Sequence, residues 1–329
     1  MNPTLGEILR PVSADLECVE ETIRARLDSA AERLGELARR CLGGAAKRIR
    51  PALALLSGEA AQAAPAAGDG ARIPFAASAE LIHLATLAHD DVIDDAAVRR
   101  GAATLNAAWG NSVAVLYGDY LLARAFELLS ERCGAELLTA MVRVTREVCE
   151  GELRQLRRRY DISMRAAEYR ETVTMKTASL FAACCRLGAL TAGAPAPLAE
   201  RLGQFGIGFG IGFQIADDCA DIAGTDTAKD RFKDIAGGRV TLPLIRALET
   251  LRGEHRERLA FCFREGNVAS SRREIILSGA LETSVREAEK ALGDAASLLV
   301  PLPDSPARRA LRGLAGFVAA RARDCLAAG

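Results

Sequence analysis

The sequence predicts an all-α fold. Apolar residues recur at spacings of three and four along most of its 329 residues. No segment shows the apolar–polar alternation of a strand. A third observation points toward function. The spacing Asp-Asp-x-x-Asp occurs twice, at Asp90, Asp91 and Asp94 and at Asp217, Asp218 and Asp221, each time after an apolar helical run.

Residues 4 to 40 read as helical on Leu5, Ile8, Leu9, Leu16, Val19, Ile23, Leu27, Leu34 and Leu37. Pro11 separates a short first helix from a longer second one, because proline removes a donor and clashes with the preceding turn. Residues 43 to 51, GGAAKRIRP, gather Lys47, Arg48 and Arg50 at the start of a helix whose first turn takes Pro51. Cations are disfavoured at a helix N-terminus, so this cluster points to an anion. Residues 61 to 74, rich in Ala, Pro and Gly, read as a loop between helices.

The helix that follows, ELIHLATLAHDDVIDDAAVRRG from Glu80 to Gly101, carries the first acidic cluster. At about 100° per residue its three Asp share one face, and His83 falls within about 20° of Asp90. Like charges one turn apart repel, so the cluster asks for a counter-cation. Carboxylates are hard ligands, and Mg²⁺ takes one or two of them with substrate phosphates and water. A solvated acidic helix end is an equal reading of one such cluster. The second copy, on a separate apolar helix, favours a pair of metal-binding faces across one cavity.

After Trp109, the only tryptophan, an apolar helix runs from about Val113 to Ser130; Asp119 within it is expected to make a structural hydrogen bond. The next helix, 135 to 156, ends on Arg157, Arg158 and Arg159, where cations suit the helix dipole. A membrane-surface patch is the lesser alternative there. Residues 166 to 192 read as one apolar helix bearing Lys176 and Thr177. Gly203, Gly206, Gly208, Gly210 and Gly212 each cost about 1 kcal/mol of helix propensity relative to Ala, a cost that close approach of a neighbouring helix would explain. Gln214 lies three residues before Asp217 and points into the same region. Residues 225 to 241 are polar and loop-like, with Lys229, Lys233 and Arg239. From Leu242 onward helices continue, interrupted by a loop at Pro301 to Pro306.

Composition narrows the function classes. With 43 basic and 43 acidic residues the formal charge is zero, which predicts neither nucleic-acid nor membrane binding. Nine Cys without a CxxC pair lead us to expect reduced thiols and a cytoplasmic location. The acidic, amphipathic N-terminus is unlike a secretory signal. No run of about 18 apolar residues predicts a membrane span. Of the three His only His83 stands in Glu-x-x-His spacing, after Glu80, and a carboxylate-bridged di-metal bundle needs two such pairs.

The stretches GGAAKRIRP, LIHLATLAHDDVID with its RRG, WGNSVAVLYGDYLLARAFELL, EGELRQL, MKTASLF, FQIADDCAD, GGRVTLPLI and LPDSPARRALRGLAGFV follow one another over nearly the whole chain. By them the sequence resembles the trans-isoprenyl diphosphate synthases of the polyprenyl synthetase family, most of all the long-chain all-trans polyprenyl diphosphate synthases. The resemblance implies one domain over residues 1–329, folded as antiparallel helices around a deep central cavity. It implies Mg²⁺-dependent head-to-tail condensation of isopentenyl diphosphate with an allylic diphosphate, about three Mg²⁺ per site, and a homodimer. Peripheral membrane contact for product release would be compatible with it.

By the same resemblance Asp90, Asp94 and Asp217 are direct metal ligands, and Asp91, Asp218 and Asp221 further ligands or their supports. Lys176 joins them in catalysis. Arg99, Lys176, Thr177, Gln214, Lys229 and Arg239 would hold the allylic diphosphate; Lys47, Arg50, His83 and Arg100 would hold isopentenyl diphosphate. Two positions depart from the family pattern. Arg239 stands where the family usually has Lys, and Phe232 where its Lys-x-x-Gly-x-Asp stretch has Gly. Ala85 and Thr86, five and four positions before the first Asp, would line the pocket for the growing chain. Both are small, as are Ala76, Ala77, Ser78 and Ala79, so an open channel and a product of about C30 to C50, as used for quinone side chains, are expected. The alternatives are a short-chain farnesyl or geranylgeranyl diphosphate synthase, a class I terpene synthase, and a non-catalytic partner subunit. The second full Asp cluster argues against the last two.

Overall fold

The computed structural model describes residues 3–27, 36–37, 47–61, 70–99, 101–225 and 232–328. The chain opens with α1 (Leu5–Leu9), a 3₁₀ turn at Arg10–Val12 and α2 (Ser13–Leu27). Then come α3 (Ile49–Ala61) and α4 (Arg72–Ile93), the helix of the first Asp cluster. A short hairpin, β1 (Val98–Arg99) and β2 (Ala102–Ala103), leads to α5 (Leu105–Trp109), α6 (Asn111–Arg132) and α7 (Ala135–Arg157). Next are α8 (Ala166–Val173), a π-helical turn at Thr174–Ala178, α9 (Ser179–Thr191) and α10 (Ala196–Ala223). The chain closes with α11 (Lys233–Ala236), α12 (Leu242–Thr250), α13 (Gly253–Arg264), α14 (Val268–Leu277), α15 (Ala280–Ser297) and α16 (Pro306–Ala328).

Pro11 falls in the 3₁₀ turn, as its missing donor requires. At 28 residues α10 is about 42 Å long, and it ends at Gly224, whose φ of 71° is the left-handed cap that glycine takes without strain. It lies between α9 on one side and α15 and α16 on the other. Phe181, Phe205 and Phe209 are fully buried where α9 and α10 meet. The glycine run divides between these neighbours. A Cβ on Gly206 would stand 2.6 Å from the Ala182 Cα, and one on Gly210 2.6 Å from the Ala178 Cα. Gly208 and Gly212 face Ala295 and Leu292 of α15 instead.

Gly206→Ala would gain about 1 kcal/mol of helix propensity. The new methyl would also meet the α9 backbone, and overpacking of that kind costs about 1–3 kcal/mol. We expect a net loss of stability, read as a lower denaturant midpoint. An unchanged or higher midpoint would show that α9 and α10 are not in this contact.

The fold is all-α apart from the hairpin, which the sequence did not signal. Its register pairs Val98 with Ala103 and Arg99 with Ala102, and Gly101 supplies the positive φ of 76° at the turn. Two residues per strand are too few for alternation to register. The expected single helix over 166 to 192 is interrupted by the π turn that carries Lys176 and Thr177. Such one-turn bulges concentrate at functional sites. Here the turn lies against Gly151 of α7, where a Cβ would sit 2.5 Å from the Lys176 backbone nitrogen. Asp119 is exposed, and its carboxylate lies 3.3 Å from His89 Nε2. Among the described residues no helix is long and apolar enough to cross a membrane.

Candidate active site

The first acidic cluster occupies the last turn of α4, with Asp94 as the cap residue itself. Its three carboxylates have different surroundings. Asp91 is buried and paired by Arg99, whose Nε donates to it at 2.8 Å. Asp94 is gripped by Arg239 and lies 3.5 Å from Arg159. Asp90 is next to neither arginine's grip. Burial pushes its carboxyl up to about 6; Lys176 opposes that shift, while Glu152 and Asp94 reinforce it.

The second cluster lies in the last two turns of α10. Asp217 accepts from Arg321 of α16 at 2.9 Å. Both Asp218 oxygens have protein donors, the Tyr169 hydroxyl at 2.6 Å and Gln214 Nε2 at 2.8 Å. Burial raises the Asp218 carboxyl, as does the nearby Asp234. Asp221 accepts from the backbone N–H groups of Lys233 at 3.1 Å and Asp234 at 3.2 Å. Burial and Asp234 push Asp221 up to about 7 despite those bonds.

Arg239 joins the two helix ends. It bonds Asp94 on one side and lies 3.3 Å from Asp234 on the other, and Asp234 abuts Asp221. Burial disfavours its charge, but Asp234 and Asp94 outweigh this and raise its pKa. The loop bearing Arg239 is clasped to the end of α7. The Tyr160 N–H donates to the Gly238 carbonyl at 2.8 Å, and its ring covers the space a Gly238 side chain would need. Tyr160 and Gly238 both have left-handed backbones, with φ of 61° and 68°.

Lys176 lies between α7 and the π turn. Its Nζ donates to Gln155 Oε1 at 2.8 Å and pairs with Glu152. The Thr177 hydroxyl donates to Gln214 Oε1 at 3.0 Å. A polar chain therefore runs from Thr177 through Gln214 and Asp218 to Tyr169. Lys47 is exposed just ahead of α3, while the Arg50 guanidinium lies 4.5 Å over the Phe181 ring. His83 is half-buried on α4, and its carbonyl accepts from the Thr86 hydroxyl at 2.8 Å. Ala85 is fully buried, as are Ala76, Ala77, Ser78 and Ala79. Thr86, beside Ala85, is half-buried. Arg100 and Lys229 lie outside the described residues.

Phe232 explains its own departure from the pattern. Its φ is 62°, a conformation natural to glycine, and the Arg272 guanidinium covers its ring at 5.3 Å. Arg272 also donates to the carbonyl of Ile222 at 2.8 Å, which ties this turn to the end of α10.

Sequence reasoning passed over Glu152, Gln155, Arg159, Tyr169, Asp234 and Arg321. Glu152 was legible in principle. It continues the buried stripe of Met141, Thr145 and Val148 on α7, and a carboxylate on such a stripe needs a partner. Arg159 and Arg321 carry no such signal, because ends of exposed helical faces often hold arginine.

The donor set fits Mg²⁺. Asp90, Asp94 and Glu152 form one group of mutually repelling carboxylates, and Asp217, Asp221 and Asp234 another. Among the described residues no three His, Cys, Asp or Glu side chains close a metal site by themselves. Mg²⁺ suits such an arrangement, since it takes few protein carboxylates and completes its shell with phosphate oxygens and water.

Residues 31–277 match the family model described as polyprenyl synthetase. The chain is 39% identical over 316 residues to heptaprenyl diphosphate synthase component 2 of Geobacillus stearothermophilus, covering 94% of this chain and 97% of that one. It is 33% identical to the octaprenyl diphosphate synthase of Escherichia coli (strain K12), over 97% of this chain and 99% of the relative. A crystal structure of polyprenyl synthase from Caulobacter crescentus CB15, complexed with calcium and isoprenyl diphosphate, superposes with a TM-score of 0.88 at 33% identity, covering 97% and 98% of the two chains.

Proposed function

This chain belongs to the polyprenyl synthetase family, and on that premise we propose that it extends an allylic diphosphate with isopentenyl diphosphate to a long-chain all-trans polyprenyl diphosphate. The observation that carries the reading is the bridge by Arg239 between Asp94 and the Asp234–Asp221 group, which brings both acidic helix ends to one place. The long product rests on the hepta- and octaprenyl relatives.

Asp90 and Asp94 on one side, and Asp217 and Asp221 on the other, would hold Mg²⁺. When bound, Mg²⁺ supplies Lewis-acid neutralisation of the departing diphosphate. Lys176, Arg159, Arg239 and Arg321 add positive charge where the allylic C–O bond breaks and negative charge grows on oxygen. Lys176, Arg239 and Arg321 are paired with the carboxylates of the site, so they are already placed at its wall. Asp218 orients Gln214, which orients Thr177 toward the same diphosphate. Arg99 reaches the site by way of Asp91. Lys47, Arg50 and His83 hold isopentenyl diphosphate, whose double bond forms the new C–C bond to the allylic carbon. The proton then lost from the extended chain passes to the released diphosphate. Arg100 and Lys229 keep the roles that the family pattern gives them.

α15 and α16 lie beyond residue 277 yet pack on α10, which supports a single domain over the whole chain. Val115 and Leu116 of α6 and Val142 and Leu153 of α7 are exposed apolar residues. They suit a second copy as partner. The relative named component 2 favours a second reading, in which a different subunit is needed for activity.

Purified chain incubated with Mg²⁺, isopentenyl diphosphate and allylic primers, with products resolved by length, tests the proposal. Long products from the chain alone support it. An inert chain that gains activity from a second subunit would favour the two-component reading. The two substrate sites should also separate kinetically. Lys47→Ala and Arg50→Ala are expected to raise the KM for isopentenyl diphosphate, since each removes a charge-assisted contact. Lys176→Ala is expected to act on the allylic substrate. Equal effects on both substrates in every variant would count against the assignment.

A further inference from the structure

Between Lys47 and Arg50 stands Arg48, a residue the site reading leaves unused. Its guanidinium is buried, with the residue 8% exposed, and it donates to Glu80 Oε1 at 2.7 Å and to Glu20. Glu80 is itself 3% exposed and sits one turn before His83 on α4; Glu20 belongs to α2. The Arg48 backbone is left-handed, with φ of 47°. L-residues other than Gly, Asn and Asp seldom take that conformation, because Cβ crowds the following carbonyl. The Arg48 carbonyl accepts the Ala52 N–H at 3.0 Å and so starts α3.

We infer that the buried Arg48–Glu80 ion pair is a positioning device for the diphosphate of isopentenyl diphosphate, holding the turn that presents Lys47 beside Arg50. The inference rests on the assignment of Lys47, Arg50 and His83 to that substrate. The geometry supports it at three points. Rotation about φ of residue 48 swings Lys47 relative to α3, so the strained φ sets where Lys47 lies. Arg50 is placed separately, by the helix and by the Phe181 ring 4.5 Å below it. Glu80 is carried by the same helix as His83, so the ion pair locks the turn in register with the third member of the site. A buried guanidinium needs its counter-charge, and Glu80 supplies it from the turn of α4 that precedes His83.

The experiment is steady-state kinetics for both substrates on the full chain with Mg²⁺, with melting temperature read in parallel. Glu80→Gln keeps the shape of the partner and removes its charge. It is expected to raise the KM for isopentenyl diphosphate about tenfold, equivalent to ~1.4 kcal/mol, with the allylic KM held within about twofold. Glu80→Gln leaves a buried guanidinium without its counter-charge and can lower stability. The second variant is therefore Arg48→Gly with Glu80→Leu. It removes both charges, and glycine accepts the positive φ without strain. This variant should melt near the wild type and still show the raised KM. A wild-type KM for isopentenyl diphosphate in the well-folded double variant would overturn the inference, as would equal rises for both substrates. Lys47→Ala and Arg50→Ala serve as controls. If they raise that KM and the Arg48 and Glu80 variants do not, the inference alone fails. If they leave it unchanged, the site assignment falls and the inference with it.

Discussion

Asp90→Asn and Asp217→Asn are each expected to cut turnover roughly 10³-fold, the equivalent of ~4 kcal/mol of lost transition-state stabilisation. The fold should survive both changes. Burial, with help from Glu152 and Asp94, pushes the Asp90 carboxyl up to about 6. An acid whose folded pKa is raised destabilises the fold once it is ionised, so at neutral pH Asp90 works against stability until a cation is bound. The metal-free Asp90→Asn protein should therefore melt at the wild-type temperature or above. Asp217 is partly exposed and paired with Arg321, a kind of ion pair that contributes at most about 1 kcal/mol. What both variants should lose is the rise in melting temperature that Mg²⁺ with a diphosphate gives the wild type. Near-normal turnover in either variant, or an unchanged Mg²⁺-dependent rise, would sink the two-cluster reading.

A ring placed on α4 below the Asp cluster should shorten the product from long-chain to about C15 to C20, if that helix borders the growing chain. The structure separates the two positions where this can be tried. Thr86 is half-buried on the face that holds His83 and Asp90. Ala85 is fully buried and shares a face with His89, four residues on, whose ring lies against Gly118 of α6. Thr86→Phe is therefore expected to shorten the product at little cost to the fold. Ala85→Phe must force a ring between α4 and α6, and overpacking of that kind costs about 1–3 kcal/mol. It should shorten the product only in protein with a lowered melting temperature. Product analysis by chain length alongside thermal melts checks both. A wild-type enzyme that stops at C15 or C20 would refute the long-chain reading. Unchanged products from both variants would remove α4 as the wall of the growing chain.

Much of the architecture was written in local pattern. Apolar spacing marked the long helices, Pro11 marked the break after α1, and the glycine run marked α10 as a helix packed tightly on its neighbours. The duplicated Asp spacing marked the two helix ends. These features depend on residues a few positions apart, and helical geometry alone relates them. The same local logic leaves the role of the small residues before Asp90 open. Small side chains can border open space or admit a neighbouring helix, and periodicity does not distinguish the two.

Tertiary structure decided what each charged group touches. Asp90, Asp91 and Asp94 are equivalent on a helical wheel. In the fold Arg99 takes Asp91, Arg239 takes Asp94, and Asp90 is left facing Lys176 and Glu152. Arg321 is more than a hundred residues from Asp217 and meets it only because α16 packs along α10. The π turn at Lys176 arises where Gly151 lets α7 approach its backbone, a contact between segments that no local propensity encodes. The sequence by itself determined that the chain forms an all-α bundle with two acidic helix ends. Which cation each carboxylate meets was decided by long-range packing, because the partners come from segments distant in the chain.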